Sequence, residues 1–290
     1  MPSARDIRRR IKSVTSTAQI TRAMQMVAAS KMARAQEAAL TTRPFAQLLY
    51  RIQRHATTHA GDFTHPLLEV RPVRKRAVIL FSTDKGLCGA LNSNLFRLAA
   101  QFDPATTVFI AVGKRAAEFV AATHGRLVAE FTFSDSPRFD EARPIAALAR
   151  DLFLKAEVDQ VQIVATRFVN TMTQDASVFD FLPIGDIKQL DMAGAAPEAD
   201  VARGVPEFLF EWSAGEVLGY LFGHYLNIYV YRVMLEAKAS EESARMVAMK
   251  SATDNATGLI RDLTLGYNHL RQGNITKEML EIAGGQLDND

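Results

Sequence analysis

The stretch MVAMKSATDNATGLIRDLTLGYNHL, residues 246–270, decides the fold of this 290-residue chain. Small or apolar side chains recur in it at alternating spacings of three and four residues: Met246, Met249, Thr253, Ala256, Ile260, Leu263, Tyr267 and Leu270. On a helix this spacing produces one continuous stripe, which is typical of a coiled-coil seam. The stretch therefore predicts a long helix that pairs with a second helix.

The beginning of the chain can supply that second helix. It carries an apolar stripe of the same spacing, followed by a shifted register: Ile7, Ile11, Val14 and Ala18, then Ile20, Met24 and Val27. Residues 1–54 contain eleven Lys or Arg and two acidic residues, whereas residues 207–290 contain seven and twelve. Because opposite charges favour association, we expect the two ends to meet.

The positions of proline divide the chain into helix, domain and helix. No proline lies between Pro2 and Pro44 or after Pro206, so both ends can form long helices. The middle alternates short β-rich runs with helical patterns, which predicts a mostly parallel, three-layer sheet. The predicted strands are AVILFS (77–82), TVFIAV (107–112), LVAEFTF (127–133), VQIVATRF (161–168) and SVFDFLPI (177–184), and the predicted helices lie near 90–102, 113–124 and 140–157.

These patterns predict five segments along the chain. They are an N-terminal coiled-coil helix (1–58), a linker (59–76), an α/β domain (77–190), a mobile loop (191–206) and a C-terminal coiled-coil helix (207–287). The longest apolar run, residues 217–235, contains His224, Asn227 and Arg232. These side chains would be costly in lipid, which favours a packed helix over a membrane span.

A glycine-containing turn, TDKGLCGALNSNL at residues 83–95, follows the first predicted strand, where phosphate-binding loops lie. It has neither the GxGxxG triplet nor a Lys-Ser/Thr pair after its glycines, so we expect a structural turn. Cys88 is the only cysteine, and His55 and His59 lack a clear third metal ligand. With no catalytic motif elsewhere, the sequence predicts neither catalysis nor a cofactor or metal.

Three stretches resemble a known family over nearly the whole chain. They are ARDIRRRIKSVTSTAQITRAMQMVAASKM at the beginning, STDKGLCGALNSNLF with TRFVNTMTQ in the middle, and ASEESARMVAMKSATDNATGLIRDLTLGYNHLRQGNITKEMLEIAGG at the end. Their residues and order closely resemble the gamma subunits of F-type ATP synthases. The resemblance implies an antiparallel coiled coil of the two terminal helices and a central Rossmann-like α/β domain with a mostly parallel sheet.

The resemblance also implies a function and a set of partners. The chain would be a rotor shaft that transmits torque between the c ring and the catalytic hexamer of three alpha and three beta subunits, with the epsilon subunit on its α/β domain. The catalytic sites would belong to the beta subunits, and the shaft would make them unequal. The expected location is the cytoplasmic face of a bacterial inner membrane, with the mitochondrial matrix side as the less favoured alternative.

Four residues match contact positions of that family. Arg271 and Gln272 match the pair that hydrogen-bonds a loop of one beta subunit, and a solvated polar turn is the alternative. Met24 and Arg245 match positions that face an acidic segment of the beta subunits. For Met24, simple packing in the seam is the alternative.

The main alternative function is that of a nucleic-acid-binding coiled coil, because residues 1–54 have nine more basic than acidic residues. Such a protein would need basic residues on one face and, usually, interleaved aromatic residues. The arginines instead cluster within residues 5–12, and Phe45 and Tyr50 are the only aromatic residues of the segment. An enzyme built on the α/β domain is a second alternative, which nucleotide binding by the isolated chain would support.

Overall fold

The structure, a computed structural model, describes residues 3–59, 65–184 and 214–285. Within the two terminal helices, side chains are described for residues 3–41 and 219–280. The elements are α1 (Ala4–His59), a short 3-10 helix (Pro66–Leu68), β1 (Arg76–Phe81), α2 (Leu91–Ala99), β2 (Thr107–Val112), α3 (Lys114–Ala122), β3 (Arg126–Phe131), α4 (Phe139–Leu154), β4 (Gln160–Phe168), β5 (Gln174–Leu182) and α5 (Ala214–Gly285).

The chain divides into two compact units. Unit 1 consists of Met1–Val27 and Met246–Asp290, and unit 2 consists of Ala28–Arg245. The long helices α1 and α5 each contribute residues to both units. The predicted fold class is confirmed: the two terminal helices form the coiled coil of unit 1, and unit 2 contains a Rossmann-like α/β domain.

The sheet of unit 2 has five strands in the order β3-β2-β1-β4-β5. Strands β1 to β4 all run in the same direction, and β5 runs antiparallel to β4. The chain order reverses between β1 and β4, as at the switch point of an open α/β sheet. The predicted strands and helices of the domain are all present, with ends that differ by a few residues.

Helices cover both faces of this sheet. Along β1, Ala77, Ile79 and Phe81 belong to the core shared with α4 and α5, whereas Val78 and Leu80 belong to the core shared with α2 and α3. A strand buried on both faces needs apolar side chains at every position, which explains the unbroken run AVILF. Because successive side chains of a strand point to opposite faces, the same sheet contributes to both cores.

Within unit 2, α5 runs in the same direction as β1. The ring of Phe222 lies against that of His65, which precedes β1, with centroids 5.0 Å apart and the planes tilted by 54°. More than twenty residues later along α5, the Nη2 atom of Arg245 donates to the carbonyl oxygen of Gly86, in the turn after β1, over 3.4 Å. The end of α5 in unit 2 therefore lies at the carboxyl edge of the sheet.

Two sequence predictions concern segments around the domain. The predicted linker includes the 3-10 helix at Pro66–Leu68, in which Leu67 is buried and its carbonyl oxygen accepts from the amide of Ile184. The predicted mobile loop, residues 191–206, lies outside the described residues. In the described part of the chain, no helix combines the length and hydropathy needed to cross a membrane.

Candidate interaction surfaces

The predicted seam of α5 is confirmed. All eight residues of its stripe are buried or half-buried, and Met249 and Ala256 are the most buried of them. Between Lys250 and Leu270, every residue off the stripe is exposed except Ala252. A three-four spacing keeps one face of a helix against its neighbour, so burial follows the stripe.

The seam of α1 begins as predicted but does not shift register. Ile7, Ile11, Val14 and Ala18 are half-buried, in agreement with the spacing. The predicted continuation through Ile20 and Val27 is wrong, because their side chains are 57% and 55% exposed. Their small neighbours Thr21 and Ala28 are buried instead. The heptad spacing of the first four seam residues therefore continues without a shift, and small side chains occupy the next seam positions.

A hydroxyl pair joins the two helices of unit 1. The Oγ1 atoms of Thr21 and Thr253 lie 2.7 Å apart, which is a hydrogen bond between two seam positions. Each hydroxyl also lies within hydrogen-bond distance of a carbonyl oxygen of its own helix, Ala18 for Thr21 and Met249 for Thr253. The polar atoms of this part of the seam are therefore satisfied, as burial requires.

Large apolar side chains also lie on the outside of unit 1. Their exposed fractions range from 40% to 67%, and they are Ile20, Met26, Val27, Leu259, Leu265, Ile275, Met279 and Leu280. Single exposed apolar residues are common, but a set along both helices of a coiled coil indicates an interaction surface. Gly258, Gly266 and Gly273 add open positions, since an added Cβ would contact nothing within 4 Å in the described structure.

The four predicted contact residues have different environments. Arg271 and Gln272 are exposed on α5 in unit 1, and Met24 is half-buried beside the α1 seam. Arg245 is buried in unit 2, where its guanidinium group is paired within the chain. Their contacts with partner subunits stay predictions.

Arg245 belongs to a closed set of charges on one face of α5. Its Nη2 lies 2.6 Å from Oε1 of Glu241, and its Nη1 lies 2.7 Å from Oε1 of Glu242. The Nζ of Lys238 lies 3.1 Å from Oε2 of Glu241 and 3.5 Å from Oε1 of Glu242. These four side chains are at most 10% exposed. Spacings of three, four and seven residues bring them together on the helix.

Two further residues extend this set to other elements of unit 2. Oδ1 of Asp135, in the loop after β3, lies 3.1 Å from Nζ of Lys238, and its Oδ2 lies 2.5 Å from Nζ of Lys31 on α1. The hydrogen bond from Lys31, with that from Lys238, holds the pKa of Asp135 far below its usual range. We call these six residues the charge ring: Lys31, Asp135, Lys238, Glu241, Glu242 and Arg245. Their formal charges cancel.

The carboxyl edge of the sheet is covered by the chain itself. Open α/β sheets bind ligands in the crevice at their switch point. Here Oγ of Ser243 on α5 donates to the carbonyl oxygen of Thr171, after β4, over 2.7 Å, and Arg245 reaches Gly86 after β1. Helix α5 and the charge ring therefore occupy the position that a ligand takes in related folds.

Residues at the start of the glycine turn and just before it accept from the first amides of the neighbouring helix α3. The amide of Lys114 donates to Oδ1 of Asp84 over 2.9 Å, and the amide of Ala116 donates to Oγ of Ser82 over 2.7 Å. Free amide groups at a helix N-terminus are what a phosphate would bind. Because residues at the end of β1 already accept from them, the turn caps α3.

The thiol of Cys88 is buried in this turn. Its side chain is 3% exposed, and Nδ2 of Asn92 donates to Sγ over 3.7 Å. Burial raises the pKa of the thiol, so even less thiolate is present at neutral pH than in a free cysteine. Among the described residues, no group of three His, Cys, Asp or Glu side chains could hold a metal ion. The side chains of His55 and His59 lie outside that set.

We expect Cys88 to resist chemical modification. A neutral disulfide reagent at pH 8 should react with it about a hundredfold more slowly in the folded chain than in denaturant, because both burial and the raised pKa suppress attack. Absorbance of the released thiol measures the rate. A matched control, Leu87→Cys with Cys88→Ser, places the thiol at an exposed neighbouring position and should react at once. Fast native labelling of Cys88 would contradict the prediction.

Comparisons with known proteins identify one family over nearly the whole chain. The protein-family model described as ATP synthase matches residues 3–287. An ATP synthase gamma chain of Opitutus terrae is 43% identical over 293 residues, which cover 99% of both chains. One from Methylacidiphilum infernorum is 41% identical over 291 residues, again 99% of both. A solved structure of the Euglena gracilis mitochondrial ATP synthase (OSCP, F1 and c-ring, rotational state 3) contains a chain with the same fold, with a TM-score of 0.67, 23% identity, and coverage of 98% of this chain and 94% of that one.

Proposed function

Because this chain belongs to the ATP synthase gamma-chain family, we propose that it is the central rotor shaft of a proton-translocating F-type ATP synthase. In this role it transmits torque between the c ring and a hexamer of three alpha and three beta subunits. The three catalytic sites become unequal because the shaft presents a different face to each. Synthesis and hydrolysis of ATP occur on the beta subunits, and this chain is not itself catalytic.

The observation that carries the proposal is the apolar outer surface of unit 1. A two-stranded coiled coil buries one stripe per helix, yet both helices here also expose large apolar side chains on other faces, such as Met26, Leu265 and Met279. An enclosing sleeve of partner subunits would cover such a surface. The hexamer of the proposed assembly is a partner of this kind.

Charge on the outside of α1 supports the same partner. The arginines at positions 5, 8, 9 and 10 and Lys12 are exposed. A basic surface favours an acidic surrounding and sets orientation more than affinity. It also gives the two helices of unit 1 different surfaces, which a shaft needs if it is to distinguish three otherwise equal sites.

The remaining partners follow from the same assignment. We propose that the α/β domain of unit 2 binds the epsilon subunit and the c ring, and that the chain is peripheral to the membrane through the c ring. The proposed location is the cytoplasmic face of a bacterial inner membrane. This chain would bring no cofactor of its own.

Affinity capture from membranes tests the proposal. The tagged chain is recovered from detergent-solubilised membranes, and the native mass, composition and ATPase activity of the complex are measured. One copy of the chain with three copies each of two larger subunits, and ATP hydrolysis, is the expected result. A lone chain would overturn the proposal, as would recovery of nucleic acid that is released steeply by salt.

Substitution of Arg271 and Gln272 by alanine is expected to impair coupling without unfolding the chain. Both are exposed, so stability should change by less than about 0.5 kcal/mol. Loss of a charged hydrogen bond to a beta subunit should lower the rate of ATP synthesis by about tenfold, since such bonds contribute ~1.5 kcal/mol or more. Synthesis by reconstituted complexes in vesicles, with the assembly yield as reference, measures the effect.

The matched control for this pair is Asn268→Ala, an exposed polar residue one turn earlier on the same helix. It should leave both synthesis and assembly unchanged. Equal effects of the control and the Arg271 and Gln272 variant would mean that the pair is only a solvated polar turn.

A further inference from the structure

The charge ring lies where α5 ends its course through unit 2. The last residue of the ring, Arg245, is also the last residue of that unit, and the following residue begins unit 1. In the proposed function, torque between the α/β domain and the coiled coil passes along α1 and α5, the two helices that belong to both units. The ring therefore lies within unit 2 and includes the last residue of α5 in that unit.

The apolar contacts of α5 alone do not define one rotational setting as sharply as the ring does. Apolar packing is non-directional, and packed helices can shift past each other by about one turn between alternative arrangements. A buried charge that loses its partner is far more costly, because it keeps its desolvation penalty without compensation. Any rotation or sliding of α5 would separate Lys238 from Asp135 or Arg245 from Gly86.

Stability alone does not account for these buried charges. Replacing a buried ion pair with well-packed apolar residues is often neutral or stabilising. What the ring adds is a requirement for one register, because Lys238 must meet Asp135 and Arg245 must meet Gly86, whereas the ion pairs within α5 would move with the helix. Asp135 then ties that face of the helix to the loop after β3 and to α1.

We propose that Lys238 and Glu242 are positioning residues that hold α5 in a single rotational setting on the α/β domain. The charge ring is a clamp, and it occupies the switch point of the sheet in place of a ligand. The clamp itself is a property of this chain. Its role in torque transfer rests on the proposed function, so the two are tested by separate measurements.

The first measurement tests the clamp in the full chain without partners. Spin labels are attached at Arg97→Cys on α2 and His224→Cys on α5, two exposed positions of unit 2 away from the ring, in a Cys88→Ser background. Pulsed electron paramagnetic resonance then measures the distribution of distances between the two labels. In the otherwise unchanged chain we expect one narrow distribution.

Lys238→Met should broaden that distribution by about twofold or add a second maximum, because it leaves two buried glutamates with one arginine. Glu242→Gln, which keeps the side-chain size, should act in the same direction. Lys238→Arg restores the charge and should restore the narrow distribution. The matched control Lys250→Met makes the same chemical change at an exposed position of α5 and should have no effect.

Unchanged distributions in both Lys238→Met and Glu242→Gln would overturn the clamp, whatever the function of the chain. The second measurement uses assembled complexes in vesicles and compares protons pumped with ATP hydrolysed. We expect Lys238→Met to lower this ratio about threefold at similar hydrolysis and assembly yield, and Lys238→Arg to recover it. A broadened distribution with an unchanged ratio would overturn the role in torque transfer, whereas failure of the unchanged chain to assemble would overturn the proposed function.

Discussion

Gly113→Ala is expected to destabilise unit 2 by about 4 kcal/mol, through backbone strain and a steric clash together. Gly113 follows β2 with φ of 101°, a conformation that side chains disfavour. A Cβ there would lie 2.4 Å from the carbonyl oxygen of Ser82. That backbone cannot move aside cheaply, because the amide of Ser82 donates to Val112 and its hydroxyl accepts from Ala116.

Urea unfolding of the full chain, followed by fluorescence and by circular dichroism, measures this effect. Gly86→Ala is the matched control, since Gly86 lies in the turn after the neighbouring strand. An added Cβ at Gly86 would meet only a side-chain atom of Arg115, at 3.9 Å. The control should change the free energy of unfolding by less than about 1 kcal/mol. Equal losses in the two variants would show that the clash at Gly113 is relieved.

Phe153→Ala should lower the free energy of unfolding by a similar amount, about 4 kcal/mol, because it leaves a cavity in the larger core. Phe153, on α4, is fully buried in the core that this helix shares with the sheet and α5. The guanidinium carbon of Arg71 also lies 5.0 Å from the centre of its ring, and this contact would be lost. Because α5 packs in the same core, the cavity should also weaken the packing of this helix, which carries most of the charge ring.

The neighbouring residue provides a control for Phe153. Leu154 is 42% exposed at the end of α4, so Leu154→Ala removes an apolar side chain of similar size with little burial. We expect Leu154→Ala to lower the free energy of unfolding by about 1 kcal/mol or less. The same denaturation experiment compares the two variants, and a larger loss at Leu154 than at Phe153 would contradict the assigned core.

Local periodicity explains which parts of the fold could be predicted. The stripe on α5 needs only the helical repeat and a partner, and burial follows it from Met246 to Leu270. On α1 the same argument failed after Ala18 because we followed the larger side chains. Hydrophobic size favoured Ile20 and Val27, whereas the spacing of the heptad and close packing favoured Thr21 and Ala28.

The glycine turn shows a second limit of the sequence. Its pattern excluded the known phosphate loops, but it did not show which groups its polar side chains bind. Only the fold brings Asp84 and Ser82 to the amide groups at the start of α3, some thirty residues later. It also brings α5 over the carboxyl edge of the sheet.

The sequence by itself determined the helical ends, the mostly parallel domain between them and the family, because periodicity, proline positions and ordered motifs are local properties of the chain. The tertiary structure alone decided that the charged segment KASEESAR, residues 238–245, is largely buried. Its spacing indicates only that ion pairs can form on one face of a helix. The segment is buried because Asp135, Lys31 and the turn at Gly86 close over it. Burial of a charge depends on partners more than a hundred residues away, and no local pattern carries that information.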